Sequence, residues 1–208
     1  MKTHETASDS PAQSPLMLVI SGPSGVGKDA ILDLLTTQNY PFHRGITATT
    51  RQPRVGESDG VQYYFKAVPD FQNWLEHGEL LENAIVYGNY YGVPKQPLRD
   101  ALARGEDVIL RVDVQGARTL KQKVPNALFI FVAPTTFEEL VSRLENRATE
   151  TPDSLALRLQ KYEDEMQAAQ NFDYMIVNRQ NMLEDTVAKI RAILTAEKCR
   201  VVPRHFEL

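Results

Sequence analysis

The sequence is poor in several things that would have pointed away from an ordinary compact fold. It has one cysteine, Cys199, in 208 residues, which excludes an intramolecular disulfide. It has no run of 18 or more apolar residues, which excludes a helical bilayer span. Basic charge is not in excess: 23 Lys and Arg face 27 Asp and Glu, a formal net charge of −4. A general nucleic-acid binder needs a broad basic face to displace counterions, so any basic site here must be local. Internal repeats and coiled-coil heptads are missing, which removes solenoids and long rods. Residues 1–15 have no apolar segment and no arginine but carry Glu5 and Asp9, unlike a secretory signal or an Arg-rich transit peptide. This stretch is expected to be a disordered tail on a cytoplasmic protein without membrane or nucleic-acid partners.

What remains is 42% apolar residues, enough for one substantial core with small inserted subdomains. Four short apolar runs bounded by turn residues, Leu16–Ile20, Val108–Val112, Leu128–Val132 and Tyr174–Val177, have the pattern of parallel strands buried on both faces. Helical patterns over Ala30–Leu35, Phe137–Arg147, Leu155–Ala169 and Leu183–Leu194 alternate with them, which predicts an α/β sheet. Gly45–Pro97 breaks the rhythm with Thr, Tyr, Gly and Arg and short alternating runs such as Val61–Phe65, as an inserted β-rich subdomain would. The Thr-Glu-Thr-Pro-Asp-Ser segment between two charged helices suits the tip of a lid.

Gly22-Pro23-Ser24-Gly25-Val26-Gly27-Lys28 follows the first strand and precedes a helix pattern, matching the G-x-x-x-x-G-K part of a P-loop. Glycines let backbone N–H groups turn inward around phosphate oxygens, the helix N-terminus adds positive potential, and lysine neutralises β/γ charge. The usual Ser or Thr that follows, whose hydroxyl ligates Mg²⁺, is replaced by Asp29. Three readings of Asp29 stay open: a metal ligand, direct or through water; an acid complementing the helix dipole; or a charge that weakens triphosphate binding.

Arg51 and Arg54, held three apart with Pro53 between, can present two guanidinium forks to one phosphate, with Tyr63 as a further donor. The alternative is that they form surface ion pairs with Glu57 and Asp59. Glu82 can accept from the adjacent N1–H and N2–H₂ donors of guanine, which adenine lacks, or can simply be a solvated residue at a helix end.

Together these blocks resemble the guanylate kinase family over about Met17 to Glu197. The signatures are the loop just described, Thr49-Thr-Arg51-Gln-Pro-Arg54-Val-Gly-Glu57, Gly88-Asn-Tyr-Tyr-Gly92, Asp113-Val-Gln-Gly116 and Arg143-Leu-Glu-Asn-Arg147-Ala-Thr-Glu-Thr. The resemblance implies a P-loop NTPase-type parallel sheet with flanking helices, a β-rich GMP-binding insertion and a helical lid. It divides the chain into a core (16–46, 98–136 and 160–198), an insertion (47–97), a lid (137–159) and a tail (199–208). It implies ATP and GMP or dGMP as substrates, with Mg²⁺. Arg51, Arg54, Tyr63 and Tyr91 would hold the GMP phosphate, Thr47 and Glu82 would address guanine, and Asp113 would orient metal-bound water or the guanine amino group. The loop from Gly22 to Asp29 would hold ATP, with Asn178 near adenine. Lys28, Arg143, Arg147 and Arg158 would act on the transferring phosphoryl group.

Besides Asp29, two positions depart from the family pattern. Val93 stands where many relatives carry Ser or Thr against guanine O6, and Arg111 replaces an acidic residue common two positions before Asp113. Gly-Lys-Asp and Leu-Arg-Val-Asp are similar to a plastid-type branch. A family-like binding domain without chemistry and a related P-loop kinase, such as a ribose 1,5-bisphosphate kinase, are the rival readings.

Overall fold

A computed structural model describes residues 14–54, 56–86, 88–145 and 162–208. Its centre is strand β1 (Met17–Ser21), buried at all five positions. Successive side chains of a strand point to opposite faces, so a strand covered on both sides must be apolar throughout. Leu18 and Ile20 face a cluster with Ile31, Leu32 and Leu35 of α1 (Lys28–Thr37) and with Val187, Ile190 and Leu194 of the last helix (Leu183–Lys198). Met17 and Val19 face the other way, onto Leu98, Ala101, Ala117 and Leu120 of two further helices.

In chain order α1 is followed by β2 (His43–Gly45), β3 (Ala48–Thr49), β4 (Tyr64–Phe65), α2 (Val68–Glu76), β5 (Leu80–Val86), β6 (Asn89–Pro94) and α3 (Lys95–Ala103). Then come β7 (Val108–Arg111), α4 (Val114–Lys123), β8 (Leu128–Ala133), α5 (Phe137–Glu145), α6 (Tyr162–Gln167), a 3₁₀ turn (Ala168–Asn171), β9 (Tyr174–Val177) and α7 (Leu183–Lys198). The main sheet has the order β2-β7-β1-β8-β9 and every pairing in it is parallel. The loops at the carboxyl ends of its strands therefore open on one side, where ligands of open α/β sheets bind.

A second sheet, β4-β3-β6-β5, carries the inserted segment. Its small core is Ala48, Phe71 and Leu80, with Phe71 of α2 stacked on Tyr90 at 5.3 Å. The pairing of β5 with β6 shifts register between Leu80 and Asn83. Leu80, Leu81 and Glu82, at this irregularity, are all buried, with Leu80 and Leu81 in different clusters.

The four strands expected from apolar runs are present, but β9, at the edge of the sheet, is not buried on both faces: Tyr174 and Met175 are exposed. The helix expected over Leu155–Ala169 begins, among the described residues, at Tyr162 and ends in a 3₁₀ turn; residues 155–161 and most of the lid expected at 137–159 lie outside the described part. The last residues are tied down: Arg204 bonds Glu197 at 2.7 Å, Asn126 donates to the His205 carbonyl at 2.8 Å, and Phe206 and Leu208 pack on the core. Among the described residues no helix is long and apolar enough to cross a membrane.

Candidate active site

The P-loop runs from the end of β1 into α1. Gly22 (φ 145°) presses on β8, where a Cβ would overlap the Val132 carbonyl, and Gly27 (φ 98°) caps α1 in the left-handed region with Asn178 against it. Neither position admits a side chain. Asn178, buried after β9, donates its amide to the Val26 carbonyl at 2.8 Å and accepts the Thr186 hydroxyl at 2.9 Å. It holds the loop from behind. Arg143 of α5 approaches the same place, giving N–H groups to the carbonyls of Asn178 (2.9 Å) and Val26 (3.4 Å) and pairing with Glu139.

Lys28 folds back over the loop, its Nζ donating to the carbonyls of Gly22 (2.7 Å) and Pro23 (3.0 Å). Burial, then the Arg111 guanidinium, bring its pKa down to about 8, against the opposing pull of Glu165, Asp29 and Asp113. A cation that is costly to keep charged in the empty site gains most when an anion arrives.

A cleft of about 590 Å³ lies at this loop. Ser24, Gly25, Gly27, Lys28 and Asp29 of the P-loop line it together with Thr47, Arg51, Arg54, Tyr63, Glu82 and Tyr91 of the inserted segment and Asp113 after β7. Arg51 is clamped to Glu57 by two bonds of 2.9 and 2.8 Å, and its guanidinium lies 5.4 Å from the centre of the Tyr63 ring. Arg54 gives only its backbone N–H to Glu57, at 2.8 Å, and its side chain is exposed. Of the two ion pairs weighed from the sequence, the first thus forms while Asp59 instead accepts the Phe65 N–H. Tyr63 and Tyr91 meet edge to face at 6.0 Å.

Glu82 is 4% exposed, and its Oε2 is buried without a hydrogen-bond partner. Burial, then the Asp113 carboxylate, push its pKa up to about 7 against the influence of Lys123. It is therefore a buried residue of a strand, not a solvated helix end. A buried carboxylate oxygen left unpaired costs free energy that a donor on a ligand recovers. Asp113 caps α4 by accepting the Gly116 N–H at 2.7 Å. Val93 lies in the core cluster with Leu81 and Leu98 and offers no hydrogen bond.

With this geometry in place, comparison with known proteins is informative. A family model described as guanylate kinase matches residues 14–197. The chain belongs to the guanylate kinase family. It is 46% identical over 195 residues to guanylate kinase 2, chloroplastic/mitochondrial, of Oryza sativa subsp. japonica, covering 93% of this chain and 68% of that one. It is 45% identical over 186 residues to a guanylate kinase of Clostridium perfringens (strain 13 / Type A), covering 89% and 85%. The crystal structure of guanylate kinase from Anaplasma phagocytophilum superposes with a TM-score of 0.70 at 30% identity, covering 91% and 89%.

A guanylate kinase works on a nucleotide bound with a divalent metal ion. The cleft suits such an ion: Asp29 and Asp113 supply hard oxygen donors at its edge, and no cage of three or more His, Cys, Asp or Glu closes among the described residues. That donor set fits a cation that keeps most of its ligands as water and phosphate oxygen. Arg147 and Arg158 lie outside the described residues. The lining also includes Arg44 and Arg111, which motif matching did not select as site residues. The available signal was position: Arg111 ends a parallel strand beside the loop of β1, where α/β sheets bind ligands.

Proposed function

We propose that the chain transfers the γ-phosphoryl group of ATP to GMP or dGMP within this cleft, with the donor on the P-loop and the acceptor base on Glu82. The observation that carries this reading is the unpaired, buried Glu82 oxygen in the cleft that Lys28 and the P-loop also line. In its ionised form it accepts from guanine N1–H and N2–H₂, and Thr47 adds a hydroxyl beside it. The acceptor phosphate lies between Arg51, Arg54, Tyr63 and Tyr91. Residues 47–97 then act as the acceptor subdomain and 137–159 as a lid over the donor.

A phosphate monoester has its second pKa near about 6, so the attacking GMP oxygen needs no general base at neutral pH. Positioning and charge neutralisation carry the step. Lys28 leaves the Gly22 and Pro23 carbonyls for the β/γ oxygens of ATP. Asn178 and Arg143 keep the loop carbonyls turned away from the phosphates, while Arg147 and Arg158 close over the transferring group and help exclude water. Asp29 and Asp113 would hold the Mg²⁺, which would supply further neutralisation of the phosphate charge. Calorimetric titration tests the base assignment: GMP and dGMP bind, AMP does not, and Glu82→Gln erases the preference. Equal binding of AMP by the wild type would put the base elsewhere.

A further inference from the structure

Two of the breaks in the family signatures meet in space. Asp29 replaces the hydroxyl residue after the P-loop lysine, Arg111 replaces an acid at the end of β7, and Arg111 Nε and Asp29 Oδ1 form an ion pair at 3.0 Å. The exchange is reciprocal: a carboxylate has moved to the donor loop and a guanidinium to the strand end. Arg44 reaches the same oxygen at 3.3 Å but is anchored mainly to Asp33 at 2.7 Å. The Arg111 guanidinium lies 5.8 Å from the centre of the Tyr63 ring, which also has Arg51, Phe65 and Tyr91 beside it. Its side chain is 26% exposed, and that exposed part borders the cleft.

We infer that Arg111 is an additional ligand for the acceptor phosphate, held by Asp29 while the cleft is empty and turned to GMP when it fills. This rests on the acceptor-site reading given above. A planar guanidinium can keep Nε on a carboxylate while its terminal N–H groups face a phosphate, so Asp29 orients the fork and also competes for its charge. A ligand role and a merely structural ion pair then predict different signs. Removing the competing carboxylate strengthens phosphate binding in the first case; breaking a structural pair from either side weakens it in the second.

The test is calorimetric binding of GMP, guanosine and ATP, each alone in EDTA, to the full-length wild type and to Arg111→Gln, Arg111→Lys and Asp29→Asn, with melting temperatures measured in parallel. Arg111→Gln should weaken GMP about tenfold, the scale of one charge-assisted bond, while leaving guanosine unchanged. Asp29→Asn should tighten GMP, and Arg111→Lys should retain most of the affinity if Gln does not fold. The inference is overturned if Arg111→Gln keeps the wild-type ratio of GMP to guanosine affinity. It is equally overturned if both single variants weaken GMP together, or if only ATP binding responds. A wild type that binds guanosine and adenosine nucleotides alike would instead remove the underlying acceptor-site reading.

Discussion

At the scale of single residues, the proposed role of Glu82 predicts pH-dependent GMP binding. Its carboxyl, raised to about 7 by burial and by Asp113, must be ionised to accept from guanine. GMP affinity should therefore fall as pH drops below about 7, by up to about tenfold per unit, with proton release on binding. Glu82→Gln should flatten that profile. Asp113→Asn, which keeps an N-capping side chain, should move the acid limb to lower pH. The consequence for stability has the opposite sense: a raised carboxyl pKa favours the folded state below about 4.5, and this advantage is lost as pH rises through about 7. Lys28 is displaced the other way, so ATP binding near pH 9 should take up a proton. Titrations in two buffers of different ionisation enthalpy measure that uptake, and Lys28→Met should abolish it. Arg147→Ala should lower kcat by orders of magnitude with little change in KM for GMP; a normal kcat in steady-state assays would remove Arg147 from the transfer step. Lys28, Arg51, Arg54, Tyr63, Glu82, Tyr91 and Asp113 could be picked out as candidates because phosphate and guanine chemistry restricts the residue types that serve, and they line one cleft. Arg111 was legible only as an anomaly, since its meaning depends on Asp29, a residue far away in sequence.

At the scale of elements, the parallel strands were legible because β1, β7 and β8 are covered on both faces and must be apolar runs. β2, three partly exposed residues, has no such signature, and β3 and β4 are only two residues each. Helix α4 was missed because its sequence, VQGARTLKQK, buries a narrow face of Val114, Gly116, Ala117 and Leu120 and carries little apolar pattern. The irregularity at which Glu82 is buried is a property of the β5–β6 register and leaves no mark on composition. The insertion depends on Phe71, fully buried between α2 and the second sheet. Phe71→Ala should cost about 3–5 kcal/mol, read by chemical denaturation, and should weaken GMP more than ATP because the lost packing lies within the second sheet.

At the scale of the whole molecule, one cleft is shared by two units: the parallel sheet carries the P-loop, and the inserted segment with its mixed sheet carries Arg51, Tyr63, Glu82 and Tyr91. Asp29, Arg111 and Tyr63 form a short chain of contacts from one to the other. Catalysis on this view is placement of two nucleotides end to end with their charge neutralised, so neither half of the cleft has a use without the other. The most direct measurement is ADP formation by the purified protein with Mg²⁺-ATP and, in parallel, GMP, AMP, UMP, CMP or ribose 1,5-bisphosphate. The account predicts turnover with GMP and none of comparable rate with the others. Turnover with a different acceptor alone would contradict the assignment of Glu82 to guanine, and no turnover with any would leave a nucleotide-binding domain without chemistry.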